Sequence, residues 1–448
     1  MTSPTQTMKL TKRSVTVLVA ATTVILGFTA TVPTGSAQPR AGARAPAGAW
    51  AQSADLLGSD TIFSNYPHET SDFGWSVAVS GTTAVVGAPW FSSTAGFKNE
   101  GNESPLGLAT GRAYVFTKGP AGWRQTAELV GSDTTPGNEF GAAVAISANT
   151  IIVGAPGHGP GTTFSDNAYI GTGRAYVFRE SATGWHQTAE LTTSGPQGSA
   201  SGCSVAISAT TAVVSAYSGA YVFQQSATGW HQTAALEPTS YAQSCYSVAV
   251  SGSTVVVGPV TGRLSTGQYT IIIAVFSHSA TGWHQTAQLP VLHHCVAIGG
   301  GNCLGWYPGA SLAISGRTVI VGAPGSTMEF ARPNGQQKTV GVPGRTYIFK
   351  RDRGWRQVAD LAGSAYHFGS SVAVSGNVVV VGMPSMPGTS SLGRAYVYTS
   401  GPSGWRLAAK LVGSGTVAGD YLGNSVAISG GTVVVGAPYA SRAFVFAG

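Results

Sequence analysis

Trp123-Arg-Gln-Thr-Ala-Glu-Leu129 returns, with its Trp and Leu always six positions apart, at Trp50/Leu56, Trp185/Leu191, Trp230/Leu236, Trp283/Leu289, Trp355/Leu361 and Trp405/Leu411. Within it, Trp123, Gln125, Ala127 and Leu129 alternate with Arg124, Thr126 and Glu128, the period of two of a strand with one buried face. Between successive copies lie three further strand-like runs. The first trio is Ser76–Ser80, Ala84–Pro89 and Gly111–Phe116; it returns as Ala143–Ser147, Ile151–Pro156 and Gly173–Phe178, and again as Ser371–Ser375, Val378–Pro384 and Gly393–Tyr398. Short runs of Val, Ile, Tyr and Phe divided by Gly, Ser, Thr and Pro predict antiparallel meanders. Four strands per repeat with no helical segment predict an all-β, seven-bladed β-propeller rather than a helical solenoid.

The ends predict how the ring closes. Trp50–Leu56 has no trio before it, and the last trio (Ser425–Ser429, Val433–Pro438, Arg442–Phe446) has no Trp strand after it. Pairing these orphans completes one blade and removes two sheet edges that would otherwise invite aggregation. Residues 50–448 then form one ring, because each blade packs only on its neighbours and length alone does not force a division.

Composition fits this reading. Charged residues are 9% of the 448, against about 25% in ordinary soluble domains, and Gly is 62, roughly twice average usage. Lys9, Lys12 and Arg13, the uncharged run Ser14–Val32 and the small residues Gly35-Ser36-Ala37 predict a signal peptide over 1–37, followed by a short linker, 38–49. Cleavage would leave 21 Lys/Arg against 17 Asp/Glu, so the formal charge falls from +7 to +4. No dense Lys/Arg run stands out, and no nucleic-acid partner is expected. After cleavage no stable membrane insertion is expected. The protein is read as secreted, extracellular and monomeric.

The motifs resemble a known family. Phe73-Gly74 followed by Gly87-Ala88-Pro89 is similar to the FG-GAP repeat of integrin α-subunit propellers and of many secreted bacterial proteins. Phe140-Gly141 with Gly154-Ala155-Pro156, Phe368-Gly369 with Gly382-Met383-Pro384, and Leu422-Gly423 with Gly436-Ala437-Pro438 repeat it. The third and fourth repeats depart most: Ser201-Gly202 and Ser244-Cys245 replace Phe-Gly, and Ser215-Ala216 and Gly258-Pro259 replace Gly-Ala-Pro. The family implies Ca²⁺ loops between the first and second strands. Here those turns (Gly81-Thr-Thr83, Ala148-Asn-Thr150, Gly252-Ser-Thr254 and their counterparts) hold no carboxylate, and Ca²⁺ wants six to eight oxygen ligands. No metal site and no cofactor is expected.

The remaining candidates fall on loops. The seven repeat Trp residues read as packing, whereas Trp90 and Trp306 lie outside that register and are candidates for ligand contact. Asp72, Glu139 and Asp420 are read as preceding the Phe-Gly position in blades 1, 2 and 7, gathering acids on one sector of the loop face. Turn capping is the competing reading. His186, His231 and His284 follow Trp on separate blades and cannot form one site. Cys203 and Cys245 begin adjacent inner strands and are candidates to bridge. Cys295 with Cys303 suits a local disulfide, although four cysteines allow three pairings. No nucleophile elbow, metalloprotease helix or phosphate loop occurs. The sequence therefore favours a recognition or adhesion module that binds an extracellular protein or glycan, over catalysis. A carbohydrate-active enzyme and a structural cell-surface component are the alternatives.

Overall fold

The computed structural model describes residues 49–59, 71–90, 110–157, 171–196, 199–237, 245–263, 269–291, 311–325, 327–331, 337–341, 343–363, 365–385 and 391–448. The expected leader, nearly all of the linker, Trp306, Cys295 and Cys303 lie outside these residues. Among the described residues no helix is long and apolar enough to cross a membrane.

Seven four-stranded antiparallel sheets form the blades. Blade 1 is Ser76–Ser80, Thr83–Ala88, Arg112–Gly119 and Gly122–Leu129. Blade 2 is Ala143–Ser147, Thr150–Ala155, Arg174–Ser181 and Gly184–Leu191. Blade 3 is Val205–Ser208, Thr211–Ala216, Gly219–Ser226 and Gly229–Leu236. Blade 4 is Ser247–Ser251, Thr254–Arg263, Tyr269–Ser279 and Gly282–Val291. Blade 5 is Ser311–Ser315, Thr318–Ala323, Arg345–Arg351 and Trp355–Ala362. Blade 6 is Ser371–Ser375, Val378–Met383, Arg394–Gly401 and Gly404–Leu411. Blade 7 takes Val426–Ser429, Thr432–Ala437 and Arg442–Ala447 from the C-terminal end, and its fourth strand, Ala51–Leu56, from the N-terminal end. Leu56 lies opposite Ala443 and Ala51 opposite Ala447, so the expected closure is present. A hairpin of two five-residue strands, Thr327–Ala331 and Gln337–Gly341, which the sequence did not announce, occupies the loop of blade 5.

The first strands pack on one another in a closed cycle and are the inner ring. Second strands such as Thr150–Ala155 are buried throughout, because a neighbouring blade covers each face. That explains their unbroken Ile/Val runs. The apolar core is correspondingly divided into clusters between blades. One joins blades 7 and 1 (Leu56, Phe73, Val434, Val445), and the next joins blades 1 and 2 (Val115, Leu129, Phe140, Ile151). The repeat Trp residues belong to these clusters: Trp123 is buried, and Trp50, Trp185, Trp230, Trp283, Trp355 and Trp405 pack on their edges.

Polar ties reinforce each junction. The Ser that ends each inner strand accepts a hydrogen bond from the first turn amide of the next blade. Ser80 takes Ala148 N–H, Ser147 takes Ala209, Ser208 takes Gly252, Ser251 takes Gly316, Ser315 takes Gly376, Ser375 takes Gly430 and Ser429 takes Gly81. This ring of bonds closes on itself. On the outside, Gln125, Gln187, Gln232 and Gln52 clamp Ser59, Ser132, Ser194 and Ser414 of the preceding blade. Thr126, Thr188, Thr233 and Thr286 sit at a bulge in the outer strand, and each hydroxyl donates to a third-strand carbonyl. The repeated Trp-x-Gln-Thr is thus anchor, clamp and bulge in sequence order.

Candidate functional site

The ring has two unlike faces. The turns joining first to second and third to fourth strands emerge on one, the turn face. The opposite loop face carries the second-to-third-strand loops and the segments that run between blades.

On the loop face, a buried aromatic fixes the segments entering blades 1, 2 and 6. Phe73 meets Tyr114 and Phe116 of its own third strand, with ring centroids 5.3 and 6.0 Å apart. Phe140 meets Tyr176 and Phe178, and Phe368 meets Tyr396 and Tyr398, in the same way. The Gly that follows donates its N–H to the Gly of Gly-Ala-Pro in the same blade, as in Gly74→Gly87 at 3.1 Å and Gly141→Gly154 at 3.0 Å.

In blades 1, 2, 3 and 7 the residue before the Phe-Gly position takes a left-handed backbone. Asp72 has φ 49°, Glu139 55°, Ala200 49° and Tyr421 60°. Non-glycine residues adopt this region at a cost of roughly 1–2 kcal/mol, so a tight turn is being held by its surroundings. The turn closes by a bond from the amide three residues on: Trp75 to Asp72, Ala142 to Glu139, Asn424 to Tyr421.

These φ values correct one expectation. Asp420 does not share the register of Asp72 and Glu139; Tyr421 holds that position in blade 7. Asp420 is the counterpart of Asn138. Each accepts from the amide three residues earlier, Val417 N at 2.7 Å and Thr135 N at 2.8 Å. Asp420 is a half-buried turn cap, and partial burial raises its carboxyl above the usual range.

Asp72 (0% exposed) and Glu139 (4%) are buried acids on this face. Burial pushes Glu139 up to about 7. The Trp90 indole N–H faces that carboxyl without reaching good hydrogen-bond geometry, so it offsets only part of the rise. The Glu139 charge also acts on Tyr217 of blade 3, whose phenol is raised first by its own burial. At the junction of blades 7 and 1, Tyr421 and Tyr439 stack 4.4 Å apart. Burial, then Tyr421 and the Asp72 charge, push Tyr439 up to about 12. Trp75 meets Trp90 edge-on at 4.5 Å, and its carbonyl accepts from Asn424. Tyr421 and Tyr439 of blade 7, Trp75 and Trp90 of blade 1 and Tyr217 of blade 3 thus line an aromatic arc on the loop face, with buried Asp72 of blade 1 and Glu139 of blade 2 among them.

Of the residues singled out from sequence, Glu139 lies beside Trp90, Asp72 lies near Tyr439, and Asp420 caps a turn one position out of their register. Trp75, Tyr217, Tyr421 and Tyr439 were not anticipated. Trp90 and Tyr439 share a signal, an aromatic directly after Gly-Ala-Pro. His186, His231 and His284 are exposed, each bonded to a Thr hydroxyl of its own turn. Cys203 and Cys245 are disulfide-bonded, with Cα atoms 6.3 Å apart. Among the described residues no three His, Cys, Asp or Glu side chains converge as metal ligands would.

The FG-GAP repeat model matches residues 50–116, 123–178 and 405–446. These segments hold the motifs of blades 1, 2 and 7, of which the last has Leu422 in place of Phe. No curated protein matches the chain. Among solved structures, the crystal structure of the computationally designed Ika8 protein aligns at 15% identity and a TM-score of 0.44, covering 92% of this chain and 96% of that one.

Proposed function

We propose, for this FG-GAP repeat protein, a role as a secreted recognition or adhesion module that grips its ligand with the aromatic arc of the loop face. The observation that carries the reading is Glu139, a carboxyl buried beside Trp90 on the loop face, which its burial pushes up to about 7. Such a group donates or accepts a hydrogen bond at little cost, and rigid aromatic faces beside it suit the alternating C–H and O–H surface of a sugar. A hydroxyl-rich glycan therefore fits better than a flat protein epitope. The Cys203–Cys245 disulfide supports an oxidising, extracellular compartment.

Full-length protein on an array of neutral glycans tests this reading. Binding should fall by about tenfold or more in Trp90→Ala and in Glu139→Gln, since a partner group left unpaired in a buried site costs about 1–3 kcal/mol. Binding undisturbed by both substitutions would remove the arc as the site. Release of a cut product from a bound glycan would favour the enzymatic alternative.

A further inference from the structure

The turn face carries a different chemistry. Third strands end there and fourth strands begin there, so the charges on those ends share one rim. In blades 5 and 6 this rim holds Arg317, Lys350, Arg351, Arg353, Arg356 and Arg406. All except half-buried Lys350 are exposed. Arg351 donates its backbone N–H to the Arg317 carbonyl at 2.9 Å, which sets the two turns of blade 5 side by side. Lys350 Nζ lies 5.8 Å from the centre of the Trp405 ring, which ties blade 5 to blade 6. Asp352 is the only carboxylate on these turns, and it is committed to Arg356 at 2.8 Å. In a chain with 9% charged residues, such a concentration of one sign is not a background feature.

We propose that this basic rim of blades 5 and 6 is a second binding surface, for an anionic polysaccharide bearing carboxylate or sulfate groups, on the face opposite the aromatic arc. Five of the six cations are Arg, whose planar fork matches the paired oxygens of carboxylate and sulfate. They stand on short hairpins of a closed ring, so little ordering is lost when an extended polymer lies across them. Trp355 and Trp405, both half-buried, border the cations and offer indole edges to the sugar rings between charges. A lipid surface fits less well. Membrane association combines cations with inserted apolar side chains, and Leu407 is the one exposed large hydrophobic residue on the fourth strands of these two blades.

The test uses the full chain with heparin and polygalacturonate as sulfated and carboxylated probes. Neutral dextran, anionic phospholipid vesicles and a DNA duplex serve as comparisons. Binding to at least one acidic polysaccharide is expected, weakening steeply with salt as counterions are released. The triple variant Arg351→Gln/Arg353→Gln/Arg356→Gln changes only exposed side chains; it should keep the parent melting temperature and lose about tenfold or more in affinity. Glu139→Gln should leave this binding unchanged, which separates it from the loop-face reading. No polysaccharide binding at low salt, an unaffected triple variant, or tighter binding to vesicles or DNA than to either acidic polysaccharide would overturn the proposal.

Discussion

Two blade junctions solve one packing problem in opposite ways. Between blades 2 and 3, the Gly of Gly-Ala-Pro approaches the Gly after the Phe-Gly-position Ser so closely that a Cβ on Gly154 would lie 1.8 Å from the Gly202 carbonyl oxygen. The same backbone-to-backbone approach joins Gly87 to Gly141 and Gly436 to Gly74, at 2.0 Å each. Between blades 3 and 4 both glycines are gone, replaced by Ser215 and Cys245. There the Cys203–Cys245 disulfide spans the junction, and the Ser215 hydroxyl accepts the Ser204 amide at 3.1 Å. The Gly-Ala-Pro glycine is therefore a contact requirement set by the next blade, and where that neighbour changes, both partners change together.

The most severe way to break this comparison is to put a side chain into an intact junction. Gly154→Ala forces a methyl group onto a main-chain carbonyl that neither blade can withdraw. The expected loss exceeds about 4 kcal/mol, the range of the largest single-residue effects, or failure to fold. Ser215→Gly at the altered junction should cost far less, because it removes the hydroxyl's contacts with the Ser204 amide and Cys203 Sγ and adds no clash. Chemical denaturation of the two variants measures the contrast. Similar losses in both would mean that the glycine contact is not what holds the intact junctions.

The covalent junction offers the next test. The disulfide closes a segment with a sequence separation of 42, and chain-entropy arguments give such a crosslink about 2–4 kcal/mol. Cys203→Ser/Cys245→Ser should therefore lower the melting temperature, and reductant should lower that of the parent protein but not of the double variant. A parent protein indifferent to reductant would show that the ring of Ser hydroxyls and the apolar cluster of Val213, Val222, Val248 and Val257 hold this junction unaided.

The fold was legible because its signals repeat. One Trp-x-x-x-x-x-Leu read alone is a strand; seven at changing intervals, with an orphan at each end, specify the ring and its closure. The Cys203–Cys245 bridge was legible because the two residues fall at nearly equivalent positions, one residue apart, where the inner strands of adjacent repeats begin. The site was legible only in part, because its residues come from four blades and each carries a local alibi. Tyr421 looks like a turn residue and Trp75 like a strand-leading aromatic until the ring brings them beside Asp72 and Trp90. Asp420 misled by one position: Tyr421, not Asp420, directly precedes Leu422-Gly423, and the left-handed backbone of Tyr421 confirms that register. The basic rim was legible only in part: Lys350, Arg351, Arg353 and Arg356 stand within seven residues, but Arg317 and Arg406 join them only through the turns of the folded blades.

The left-handed position before Phe-Gly carries the comparison into the site itself. Blade 3 fills it with Ala200 and blade 2 with Glu139, both buried. An acid whose folded value lies near 7, against an ordinary 4.5, is held more readily with its proton than without it. Its stabilising contribution is complete below about pH 4.5 and is lost as the pH rises toward 7, because the folded state then surrenders a proton that the unfolded chain has already released. Over that window the difference amounts to about 3 kcal/mol. The parent protein should melt at progressively lower temperature from pH 4.5 to 7. Glu139→Gln keeps the shape without the titration and should flatten that slope, and Glu139→Ala, which copies blade 3, should flatten it too. Equal slopes in parent and variants would place the Glu139 carboxyl in contact with water and deprive the arc of its neutral acid.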